Sequence, residues 1–207
     1  MPLSSYALDN FVSQELSQLT ECRVTGVTGE FPDYQSWLST FVLNWMLRFS
    51  LPRKKAALAF AVVRRSEEAI TDYEEARELL AKLVSSRKSV SLYFRCLGRF
   101  EPTVAMACQA LTFAMKALGM KVYEKGDGSL YERLFMIYNK SRHSDPEMLP
   151  GGQLHAVWIK NEGLFVDGAY LTFAELGELV HEVGRIADTL SKGGSPDQST
   201  PNSNSMH

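Results

Sequence analysis

The first thirty positions place Leu8, Phe11, Val12, Leu16 and Leu19 at helix-like spacing, then give way to a Gly/Thr-rich stretch at residues 25–29. That pattern predicts a docking helix or arm followed by a linker, residues 1–32. From Asp33 onward Trp37, Leu38, Phe41, Trp45, Met46 and Phe49 recur every three or four residues, the face of an amphipathic helix. Leu51-Pro52 should end or kink it, because the residue before a proline disfavours helical backbone. Two helical stretches are expected next, residues 54–65 and 67–84. The second is rich in Glu, Ala, Leu and Lys, and its like-charged Glu74 and Glu78 leave packing to hold it together.

Residues 90–118 form the most apolar long segment, with Tyr93, Phe94, Leu97, Val104, Cys108, Leu111 and Met115 on one side. This segment is the expected core helix. Pro102 lacks a backbone donor, so a kink or restart is expected there, with Glu101 near the new N-terminus where a carboxylate suits the helix dipole. Gly126-Asp127-Gly128 reads as a turn and Ser129 with Glu132 as a capping box, which predicts a helix over residues 130–142. Residues 154–159, a turn at Asn161-Glu162-Gly163 and residues 164–166 predict one short hairpin. Thr172 with Glu175 is a second capping box, and Phe173, Leu176, Leu179, Val180, Val183, Ile186 and Leu190 form an apolar stripe behind it. After Lys192 the chain is rich in Ser, Gly, Pro and Asn, and a disordered tail, residues 191–207, is expected. The fold class that follows is mainly α: a helical bundle over residues 33–190 with one small β-hairpin insertion before the last helix.

Composition narrows the function classes. With 207 residues, 45% hydrophobic and 22% charged, and a net charge of -2, the chain is neither disordered nor a polycation, so any nucleic-acid contact must come from a local patch. Three cysteines, Cys22, Cys96 and Cys108, form no CxxC pair and suit a reducing cytoplasm. The longest apolar-looking stretch, residues 37–49, carries Ser39, Thr40, Asn44 and Arg48 and is too short to span a bilayer, so no membrane role is expected. Phosphate-loop, dinucleotide, zinc-protease and nucleophile-elbow motifs are absent, and the four histidines are too scattered to suggest a metal site. No cofactor is expected.

One segment gathers polar chemistry. Asn139 and His143 lie four residues apart on one helix face, Lys140 and Arg142 accompany them, and Glu132 sits two turns earlier on that side. Such cations also complement the negative end of a helix dipole, and Asn139 can hydrogen-bond a neighbouring helix. Glu101 is a candidate buried acid facing His143 across the bundle, or a cap. Trp37 and Trp45 read as core or dimer anchors, Arg53-Lys54-Lys55 with Arg64-Arg65 as a solvated face beside Glu67 and Glu68, and His155 and His181 as structural.

A long central helix followed by a helix ending Tyr138-Asn139-Lys140-Ser141-Arg142-His143 resembles the HEPN superfamily, small helical bundles found in RNA-targeting toxins, phage-defence proteins and nucleotide-binding partners. Nuclease members carry an Arg, usually a polar residue such as Asn after it, then three residues and a His. Asn139 and His143 match, and Tyr138 stands where the Arg would be. The resemblance implies a non-catalytic or weakly catalytic module that binds RNA, a nucleotide or a protein partner, working as a homodimer with the Asn139/His143 surface near the contact. An active member would cleave RNA without metal: His143 would assist proton transfer at the ribose 2′-hydroxyl, and Arg142 or Arg133 would replace the missing cation. A plain interaction module offering the edge of its hairpin to a partner is the third expectation.

Overall fold

The computed structural model describes residues 4–13, 15–48, 52–85, 89–118, 121–142 and 155–194. Among these are six α-helices and a small antiparallel sheet: α1 (Ser5–Phe11), α2 (Trp37–Arg48), α3 (Arg53–Ser85), α4 (Val90–Leu118), α5 (Leu130–Ser141), β1 (Trp158–Ile159), β2 (Gly163–Val166), β3 (Ala169–Thr172) and α6 (Phe173–Ser191). The mainly helical class with a β insertion before the last helix is therefore the architecture of the chain.

Two expected helices are one. In α3 the buried positions Ala59, Val62, Val63, Ser66, Ala69, Ile70, Tyr73, Ala76, Leu79, Leu80 and Leu83 continue at three- and four-residue steps through the polar run at residues 64–68. Ser66 is fully buried in the middle of that stripe, so a polar residue flanked by charges lies inside the helix and does not divide it. The long antiparallel pair of α3 and α4 is the spine of the fold. Its direction is fixed by cross-contacts that run in opposite order: Arg65 to Met106, Asp72 to Arg99 and Ala76 to Cys96. Small buried residues, Ala69, Ala76, Cys96, Ala107 and Ala110, give the two helices room to approach.

Pro102 does not restart α4; the helix runs through it. A proline inside a helix cannot donate to the carbonyl four positions earlier, here that of Gly98, and its ring crowds that carbonyl. Thr103 returns its hydroxyl to the Arg99 carbonyl at 2.8 Å, adding a bond in the weakened turn. Glu101 is accordingly a mid-helix residue and caps nothing.

The expected hairpin is the first half of a three-stranded sheet in the order β1-β2-β3. Trp158 pairs with Phe165 and Ile159 with Leu164, while Leu164 pairs with Leu171 and Val166 with Ala169. Asp167-Gly168 makes the second turn, with Gly168 at φ +86°, left-handed backbone that favours glycine. Thr172 and Glu175 form the full capping box, so β3 passes directly into α6. On α6 Gly184 lies against Phe31: a methyl group there would stand 2.6 Å from the Phe31 ring.

The N-terminal residues belong to the same core. Leu8, Leu16, Leu19, Val27 and Phe31 are buried with it. Asn161, in the β1–β2 turn, accepts the Thr20 and Glu21 amides at 2.9 and 3.2 Å and donates to the Gln18 carbonyl at 3.2 Å. Glu74 accepts the Val27 and Thr28 amides, and Tyr73 donates to the Thr25 carbonyl. At the other end of the bundle Glu67 accepts the Leu38 amide at the start of α2, and Asn44 donates to the Ser191 carbonyl of α6.

Candidate functional site

Helix α5 starts where expected, but only half of the expected capping box forms, because the Ser129 amide goes to Asp127 and not to Glu132. The Ser129 hydroxyl accepts the Glu132 amide, and the Glu132 carboxylate turns back to the Gly126 and Gly128 amides at 2.5 and 2.8 Å. Glu132 thereby closes the N-terminal turn and takes no part in a polar site with Asn139. One turn on, Arg133 grips Glu175 through two bonds, of 2.6 and 3.2 Å, reaches the Tyr170 carbonyl at 3.3 Å and stacks on the Tyr170 ring. Burial alone would raise the Glu175 carboxyl, yet the Arg133 and Thr172 bonds hold it below the ordinary carboxylate value. Arg133 is therefore a neutralised tie between α5, β3 and α6.

The far end of α5 differs. Leu134 and Ile137 anchor it in the core, and Tyr138 is half-buried against that core. The Arg142 guanidinium lies 5.4 Å from the Tyr138 ring centre and donates to the Tyr138 hydroxyl at 3.1 Å. Asn139 and Arg142 are exposed, and Lys140 is half-exposed between them. No carboxylate pairs with Lys140 or Arg142 among the described residues, whereas Arg64, Arg65, Arg77, Arg99 and Arg133 each meet one. His143 lies outside the described residues.

Glu101 meets a histidine of another segment. Its Oε1 is buried, has no hydrogen-bond partner and stands 3.5 Å from His155 Nε2. Burial pushes the Glu101 carboxyl up to about 7 and lowers the His155 imidazole. The Val157 amide donates to His155 Nδ1 at 3.3 Å, which leaves the ring proton on Nε2, facing Glu101. The thiols of Cys96 and Cys108 are buried and pushed far above neutrality, so neither is a reactive thiolate. No group of three His, Cys, Asp or Glu residues among the described ones is placed to hold a metal.

Beside Glu101 stands Tyr93, a buried tie between three elements. Its hydroxyl donates to Ser13 Oγ at 2.7 Å and accepts the Ile159 amide at 3.1 Å, joining the arm, α4 and β1. Burial raises this phenol to about 12, so it stays a neutral donor at any working pH. Tyr93→Phe should cost about 2 kcal/mol of unfolding free energy by leaving the Ile159 amide buried without an acceptor. Urea denaturation measures it, and a loss below about 0.5 kcal/mol would mean that the bond contributes little net stability.

The two clusters were legible to different degrees. The α5 cations announce themselves by position in a last turn. The Glu101 partner does not, because His155 is separated from it by 54 positions and sits just before a two-residue strand.

No protein-family model matches the chain, and no curated protein and no solved structure matches it either.

Proposed function

We propose that this chain is a HEPN-like helical module that binds single-stranded RNA or a nucleotide through the last turn of α5, without catalysis or with weak catalysis, in a cytoplasmic setting. The observation that carries this reading is the Tyr138–Arg142 stack, in which an exposed guanidinium on an aromatic ring has no carboxylate partner among the described residues. A guanidinium that spends one N–H on the Tyr138 hydroxyl keeps its other N–H groups for a phosphate. Lys140 adds a point charge, and Asn139 adds an amide that can both donate and accept. With a net charge of -2 the chain has no general field for polyanions, so affinity must rest on this turn and fall steeply with salt. Among the described residues no helix is long and apolar enough to cross a membrane.

Fluorescence anisotropy with a labelled single-stranded RNA tests the reading. The double variant Lys140→Ala with Arg142→Ala should bind about tenfold more weakly, roughly 1.4 kcal/mol. Its salt slope should be shallower by roughly two, about one for each phosphate left without its cation. Equal binding and equal slope in the two proteins would sink the proposal. Incubating the same RNA without metal, beside His143→Ala, separates binding from chemistry. Cleavage that vanishes with the histidine would make the chain a metal-independent endoribonuclease, with Arg142 in place of the cation that Tyr138 does not supply.

A further inference from the structure

Nine large apolar side chains are exposed among the described residues, and five of them are on one helix: Val42, Leu43, Trp45, Met46 and Leu47 of α2. The concentration is not explained by packing, since the opposite face of α2, with Trp37 and Phe41, already fills the core. At about 100° per residue Val42, Met46, Leu43 and Leu47 spread over an arc of roughly 140° pointing away from that core. Met46 and Leu47 are 75% and 70% exposed, more than any apolar residue in the bundle needs to be. A helix apolar on both faces is ordinarily covered on both.

Charge says what covers it. Residues 37–47 contain no Asp, Glu, Lys or Arg, so the stripe repels no copy of itself. Its two ends are opposite in sign: Asp33 is exposed just before α2, and Arg53, Lys54 and Lys55 are exposed at the start of α3, shortly beyond the end of α2. None of these four is in an ion pair among the described residues, although Arg64, Arg77 and Arg99 nearby on the spine all are. We propose that this face of α2 is a two-fold, antiparallel contact between two copies of the chain. Antiparallel docking sets the Asp33 end of each copy against the Arg53–Lys54 end of the other and opposes the two helix dipoles, while Val42 and Leu43 meet at the axis. A bilayer would match the apolar stripe but would meet Asp33 at one end and find no basic residue along residues 37–47. The chain's own residues 195–207 are Ser, Thr, Pro, Asn, Asp and Gln with one Met and one His, which cannot cover an apolar face.

Light scattering on the full-length chain at micromolar concentration should report twice 23.2 kDa. The double variant Leu43→Glu with Met46→Glu, at positions outside the core, should keep its helical circular dichroism and dimerise at least about tenfold more weakly. Asp33→Lys should also weaken the dimer, and adding Arg53→Glu with Lys54→Glu should restore it. Leu43→Cys should give a disulfide-linked dimer on mild oxidation. A monomeric wild type overturns the proposal, as does a dimer that survives the double glutamate variant or a charge reversal without rescue. A monomer that floats with anionic vesicles would assign the face to a membrane and overturn it equally. RNA binding at α5 is read separately, so failure of either proposal leaves the other standing.

Discussion

Phe173→Ala should lower the unfolding free energy by about 3–5 kcal/mol, the range for removing a fully buried aromatic ring from a core that relaxes only in part. Phe173 is the first residue of α6 and is 2% exposed; Phe100, which it stacks on at 5.3 Å with planes 30° apart, is 0% exposed on α4. The same residue donates its amide to the Glu162 carbonyl at 2.9 Å in the β1–β2 turn. One side chain thus fixes where the sheet ends, where α6 begins and how both meet the spine. Chemical denaturation should show a lower midpoint at an unchanged slope. Phe100→Ala should cost a similar amount, and the double variant less than their sum by about 1 kcal/mol, because each single change already breaks the stack. A loss below about 1 kcal/mol for Phe173→Ala would mean that this junction does not organise the core.

Glu101→Gln should become progressively more stable than the wild type as pH rises from 4 to 8, by about 3 kcal/mol in all. The carboxyl ionises at 4.5 in an exposed chain and at about 7 when buried in the folded protein. Between those values the folded state keeps a proton that the unfolded state has released. Raising pH therefore favours unfolding across that window, and above about 7 the full penalty is present. Glutamine has nearly the same shape and never ionises, so the variant escapes the slope; at pH 4, where the glutamate is protonated in both states, little of this difference remains. His155 works in the opposite sense. Its imidazole is lowered by burial, so the stability it contributes is present above the ordinary histidine value of 6.5 and is lost as pH falls below it. Unfolding free energies at several pH values measure both effects. Parallel curves for wild type and Glu101→Gln would show that the carboxyl is ionised in the folded protein at neutral pH, and His155 would then be its counter-charge.

Sequence periodicity reaches α5, α6 and the class of the fold because each of those helices has an amphipathic stripe and a capping serine or threonine. It divides α3 at Ser66 because a serine between Arg64-Arg65 and Glu67-Glu68 looks like a break. In the fold Ser66 Oγ is buried without a hydrogen-bond partner, and the apolar positions on either side of it carry the helix through. Pro102 misleads in the same way: it removes one bond of α4, and packing against α3 on either side of it keeps the helix continuous. The third strand had a signal in Asp167-Gly168, but Ala169–Thr172 is short and is read just as easily as the run-up to the capped helix. Chemistry at the site is less legible. The α5 cations can be read from position alone, whereas which arginine is neutralised depends on Glu175, 42 residues away, and on the fold that brings it there.

The ties between the arm and the sheet also bear on how the chain is made. Asn161 is 141 positions after Thr20, and Ile159 is 66 after Tyr93. At the pace of bacterial or eukaryotic translation the ribosome needs on the order of ten seconds to pass from the first of these segments to the last. During that interval Leu8, Leu16 and Leu19 lack the turn to which the Thr20 and Glu21 amides will bind, while α3 and α4, adjacent in sequence, can already pair. Birth of this protein is then a spine that forms early and an N-terminal segment that waits, so nascent chains stalled before residue 161 should be the ones that chaperones hold.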